Sequence, residues 1–146
     1  MILNLFKQIS ERIPRKKLDR MFTKLAKEEM KPGWQGMVNL IFIGDGEMRK
    51  LNWQFRKTDK TTDVLAFNLD QPENKDSLFG EVYVSVPTAM KQARSFGVTP
   101  EEELLKLSCH GILHLFGYDH IKKRDAHQMS ELEKYYVKYA REGRSD

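Results

Sequence analysis

The chain has a single cysteine, Cys109, so no internal disulfide can form and a reducing compartment is expected. It has no long hydrophobic run. The longest apolar stretch, Met37 to Ile43, is interrupted by Asn39 and falls far short of the roughly 20 residues a membrane-spanning helix needs. No internal repeat and no low-complexity segment is present. The opening Met1-Ile2-Leu3-Asn4-Leu5-Phe6 lacks the basic start and small-residue cleavage site of a signal peptide. Glu11, Asp19, Glu28 and Glu29 argue against an organelle transit peptide, so the expected location is the cytoplasm. What remains is a 146-residue chain with 40% apolar and 32% charged residues. That composition fits one globular domain over 1–146, large enough to build a core without staples.

Its charge is uneven. The net is +4, yet residues 1–60 hold 14 basic and 7 acidic side chains, while residues 61–146 hold 11 and 14. A basic first half suits a polyanionic partner, although on charge alone a solvated helix face is the simpler reading of such a run.

Periodicity orders the elements. Ile2 to Phe6 reads as a strand, and Leu18, Met21, Phe22 and Leu25 mark an amphipathic helix from Arg15 to Met30, stopped by Pro32-Gly33. Met37 to Ile43 is a buried strand. Asp45 is placed to cap the next helix, which carries Met48, Leu51, Asn52 and Phe55. Trp53 on that helix reads as core, with base stacking as its other use. Val64 to Phe67 and Glu81 to Val86 are strands, and Pro87 opens a helix closed by Gly97. Thr99-Pro100-Glu101-Glu102 is a capping box that starts a helix to Phe116, with Gly117 as its left-handed stop. A last helix spans roughly 122–141. The expected fold is a compact mixed α/β domain, with about four strands in a mixed sheet packed by five to six helices in βαβαββααα order.

Three of the four histidines fall within eleven residues. His110 and His114 stand at i and i+4, so both rings project from one helix face, with Cβ atoms about 5–6 Å apart. Gly117 lets the chain reverse, and His120 can return to the same point. Three neutral imidazoles with an open fourth position are the donor set of a catalytic zinc site. Asp119 has two readings, holding a ligand histidine in its tautomer or stabilising the turn. Tyr118 reads as packing, Gly111 as a position of close approach, His127 as surface and Cys109 as a buried thiol. The H-x3-H-x2-G-x2-H spacing also matches a class of zinc proteases, but those carry a glutamate after the first histidine where this chain has Gly111.

The string His110-Gly111-Ile112-Leu113-His114-Leu115-Phe116-Gly117-Tyr118-Asp119-His120 resembles the signature H-G-x-L-H-L-x-G-Y-D-H of the YbeY family of bacterial rRNA maturation endoribonucleases. Asn52 to Arg56 and Thr62 to Phe67 are similar to that family's second block, and Gly80-Glu81-Val82 to its G-D-[IV] strand start, with Glu81 where Asp is usual. The resemblance implies the family's α/β domain and one zinc ion (or another divalent transition metal) on His110, His114 and His120. It implies Arg56 facing that site, with His114 and Arg56 as the catalytic pair. The implied activity is metal-dependent cleavage of single-stranded RNA, in 16S rRNA 3′-end maturation and ribosome quality control. The implied partners are rRNA, the small subunit and ribosome-assembly proteins, with neither membrane nor DNA.

Arg56 can bind a phosphate bidentately, and Lys57 and Lys60, with Arg49 and Lys50, extend the charge a phosphodiester track needs. Metal-bound water or the substrate's own 2′-hydroxyl could attack. Two other readings are a zinc peptidase with an unusual base and a non-catalytic ribosome-assembly factor with structural zinc.

Overall fold

Alternation and helical periodicity resolve into nine elements in a computed structural model, which describes residues 1–69, 74–119 and 121–143. They run β1 (Ile2–Lys7), α1 (Arg15–Glu29), β2 (Met37–Ile43), α2 (Asp45–Arg56), β3 (Val64–Asn68), β4 (Leu78–Ser85), α3 (Val86–Phe96), α4 (Pro100–Leu115) and α5 (Lys123–Glu142). The four strands form one mixed sheet in the order β1-β2-β4-β3. β1 and β4 lie parallel to β2, whereas β3 runs antiparallel to β4. This is the expected βαβαββααα order with five helices.

Each strand sorts its side chains by parity. Val38, Leu40, Phe42, Val82 and Val84 enter the main core with Leu18, Met21 and Leu25 of α1 and Leu104, Leu105, Ile112 and Leu113 of α4. Ile41, Ile43 and Leu65 point the other way and pack with Met48 of α2. Helix α4 therefore lies against one face of the sheet and α2 against the other. Burying each large core side chain contributes about 1.5–3 kcal/mol, so most of the stability sits on the α4 face.

Local chemistry sets the helix ends. Thr99 Oγ1 accepts a hydrogen bond from the Glu102 amide at 3.1 Å, the N-cap half of the expected box, while the Glu102 carboxylate pairs with Arg141. Gly117, at φ +99°, takes the left-handed conformation that lets the chain turn after α4. Two expectations fail. Gly44 is the N-cap of α2, and Asp45 begins the helix with its carboxylate turned to Ser85 Oγ at 2.5 Å and Thr88 Oγ1 at 2.7 Å. Trp53 is 54% exposed, because α2 buries Met48 and Asn52 and the next residue is rotated about 100° off that stripe. Among the described residues, no helix is long and apolar enough to cross a membrane.

Candidate metal centre and nucleic-acid groove

Helix α4 is buried on almost every side, and its C-terminal half reaches solvent along the stripe Lys106, His110, His114. This stripe is the i, i+4 row, so the two half-buried histidines sit one above the other. Their ring centroids are 4.7 Å apart at an interplanar angle of 74°. Gly111 lets the stripe lie this close to the sheet. A Cβ there would stand 2.4 Å from Val82 Cγ1 and 3.2 Å from Val64 Cγ2. Gly80 does the same from β4, where a Cβ would meet Leu115 Cδ2 at 2.7 Å. Asn68 Nδ2 donates to the Leu115 carbonyl at 2.6 Å, tying the end of β3 to the end of α4.

The two histidines line a groove of about 460 Å³ together with Arg56, Thr62, Asp63 and Asn68. Arg56, the last residue of α2, is thus brought to the histidines across more than fifty residues of sequence. Asp63 holds its position through Gln92 Nε2, which donates to Oδ2 at 3.2 Å. The other basic candidates go elsewhere. Lys57 is the left-handed C-cap of α2, at φ 56°, with its ammonium 5.9 Å from the Trp53 ring centroid. Lys60 lines a separate hollow with Asp45, Arg49 and Asp59. Arg49 is engaged by Asp59 in two hydrogen bonds of 2.7 and 3.1 Å.

The residues after α4 are anchored individually. The Tyr118 hydroxyl donates to Glu29 Oε1 at 2.6 Å, and this bond, more than burial, pushes the phenol up to about 12. Asp119 Oδ1 accepts from the Ile121 amide at 2.7 Å, a turn-stabilising contact. His120 lies outside the described residues. His127 is exposed, and Cys109 is buried with its thiol pushed well up, chiefly by desolvation. Glu81 points away from the groove. It accepts from Tyr83 at 3.1 Å and from Asn39 at 3.3 Å on the α2 face of the sheet.

One residue escaped the reading of the sequence. Glu133 of α5 is 8% exposed, and its Oε2 lies 2.7 Å from His110 Nδ1. Glu133 stands at helical spacing from the buried Met129 and Tyr136, and an acidic residue on such a stripe was the available signal.

The donor set fits a borderline metal such as zinc: two imidazoles from one helix face, one with a carboxylate on its far nitrogen. Among the described residues alone, no group of three or more His, Cys, Asp or Glu could hold an ion. His120, the third expected donor, is not one of those residues.

The family model described as Endoribonuclease YbeY matches residues 4–141. A curated protein of that description from Desulforamulus reducens is 41% identical over 102 residues, covering 66% of this chain and 67% of its own length. Another, from Anaeromyxobacter dehalogenans, is 41% identical over 96 residues, covering 66% of this chain and 50% of its own. The matched segments thus span half to two thirds of these relatives. A solution structure of a Thermotoga maritima protein superposes with a TM-score of 0.63 at 35% identity, covering 94% of this chain and 88% of that one.

Proposed function

The chain belongs to the YbeY endoribonuclease family, and from that premise we propose that it is a zinc-dependent endoribonuclease acting on single-stranded RNA. Its place would be the maturation of the 16S rRNA 3′ end and ribosome quality control, with the small subunit and its assembly proteins as partners. One observation carries the reading: Arg56, His110 and His114 line a single groove.

His110 and His114 would hold the ion, with His120 as third ligand. When bound, zinc supplies a Lewis acid for a phosphoryl oxygen and lowers the pKa of a water toward 7. Arg56 binds the phosphate through its planar guanidinium and offsets the charge that builds in the transition state. Asn68 and Gly111 keep α4 seated against β3 and β4, so the two rings hold their spacing while the strand is bound. The groove walls at Thr62, Asp63 and Asn68 offer polar atoms to the nucleotide beside the scissile bond. Trp53, exposed one turn before Arg56 on α2, offers a face on which a base can stack.

A peptidase reading is disfavoured by Gly111. The position where the proteases carry their glutamate points at Val82, inside the packed face, so no base could act from there.

The test is cleavage of a single-stranded RNA, its duplex and the matching DNA strand by wild type and His114→Ala. The expected result is cleavage of the single-stranded RNA alone by wild type and loss of it in the variant. Peptide cleavage without RNA cleavage would overturn the proposal. The product ends identify the nucleophile, since a 2′,3′-cyclic phosphate marks attack by the substrate's own hydroxyl.

A further inference from the structure

Glu133 and His110 meet across the α4–α5 interface, 23 residues apart, through the 2.7 Å contact between Oε2 and Nδ1. The interface has apolar contacts besides this pair. Met129, Tyr136, Val137 and Ala140 of α5 are already buried in the main core. A buried carboxylate is expensive to desolvate and is kept where it has a specific partner. Here the partner is a ring nitrogen, and an ionised carboxylate presents only acceptors. The imidazole proton must then sit on Nδ1, which places the ring's lone pair on Nε2, on the side away from Glu133. His110 meanwhile lines the groove that also holds His114 and Arg56.

We infer that Glu133 is a positioning residue: it fixes His110 in the Nδ1–H tautomer and in the ring orientation that presents Nε2 to His114 and the groove, and so sets the affinity for zinc. The ring cannot flip without breaking the bond to Glu133, so one contact fixes both its tautomer and its orientation. The inference rests on the metal reading above and adds a residue on another helix, so α5 becomes part of the site.

The experiment compares wild type, Glu133→Ala, Glu133→Gln and Met129→Ala. Met129→Ala is the control for loosening α5, because Met129 is 1% exposed on the same helix. Zinc affinity is read by competition with a chelating dye, and the His110 tautomer by nitrogen chemical shifts in the metal-free protein. Glu133→Ala is expected to bind zinc about 10–100-fold more weakly and to show mixed tautomers. Glu133→Gln, isosteric and retaining one acceptor oxygen, should fall between and keeps the test alive if the alanine variant does not fold. Met129→Ala should lower the melting temperature and, although Met129 lines one hollow with His110 and Glu133, keep a single His110 tautomer and weaken zinc binding far less than Glu133→Ala. Wild-type zinc affinity and a single tautomer in Glu133→Ala would overturn the role of Glu133 alone. Failure of wild type to take up zinc would overturn the metal reading itself.

Discussion

Replacing Gly111 by alanine sets two effects of opposite sign against each other. Alanine is the better helix former by about 1 kcal/mol in a helix interior, so propensity alone predicts a more stable protein. Packing predicts the reverse. The new methyl would stand 2.4 Å from Val82 Cγ1 and 3.2 Å from Val64 Cγ2. Val82 is fully buried on β4, which is paired on both sides, and a valine is restricted at χ1, so it has little room to yield. Helix α4 must lift off the sheet instead. Overpacking of this kind costs about 1–3 kcal/mol, and the severity of the contact argues for the upper half. After the propensity gain, the net loss is about 1–2 kcal/mol, or a fall of about 3–8 °C in melting temperature for a chain of this length. Thermal unfolding of Gly111→Ala, Val82→Ala and the double variant measures it. Val82→Ala removes the opposing methyls, so the pair should be non-additive, with a coupling energy of about 0.5–3 kcal/mol. Gly111 follows His110 directly and stands one turn before His114 on the same helix, so the single variant should also lose RNA cleavage, and the double variant should regain part of it. A Gly111→Ala protein as stable as wild type, or more so, would refute the close approach and the account of how the histidines reach the groove.

Other predictions concern the supports of the site. Arg56→Ala should lower the rate of RNA cleavage by about 10²–10³-fold, with Arg56→Lys recovering only part, because the ammonium cannot bind phosphate bidentately; equal rates in the three proteins would exclude Arg56 from the chemistry. Tyr118→Phe removes the hydrogen bond to Glu29 and should lose about 1.5–3 kcal/mol of stability at neutral pH. The raised phenol of Tyr118, at about 12, stabilises the fold fully below the unfolded value near 10 and loses that contribution as pH climbs through 12. Alkaline unfolding curves should therefore be shallower across that window in Tyr118→Phe. Asp45 works in the opposite direction: its carboxyl is held below the ordinary value, first by Ser85 and then by Thr88, so its contribution is present above pH 4 and lost as pH falls through its folded value. Asp45→Asn should lower stability at pH 7 and reduce the difference between pH 7 and pH 3, as followed by urea unfolding.

The sequence and the structure agree where one residue type admits one job. The order of elements was legible because strand alternation, Pro87, Gly97 and the Thr99-Pro100 start are local signals. The pairing of His110 with His114 was legible because helix geometry alone puts i and i+4 on one face. Gly111 could be marked as a close approach, yet the Val82 contact that makes it one belongs to tertiary packing. Trp53 was misread because its spacing to Met48 and Asn52 is consistent with a wide apolar stripe, whereas α2 lies on the sheet along a narrow one. Asp45 was misread because an acidic residue after Gly44 suits a cap, while Ser85 and Thr88 offered it better partners from other elements. Glu133 gave only a weak signal, an acid at a buried helical position, and its meaning appears only once α5 lies beside α4. The basic first half of the chain divides in the same way. Arg56 reaches the groove, Arg49 is held by Asp59, and Lys57 and Lys60 lie outside the groove lining.

The most direct test of the central claim is the rate of single-stranded RNA cleavage by the purified chain, measured after removal of bound metal with a chelator and again after adding one equivalent of zinc. The account predicts that cleavage disappears with the metal and returns with zinc in wild type but not in His114→Ala. Cleavage that persists undiminished in the metal-free protein would contradict it.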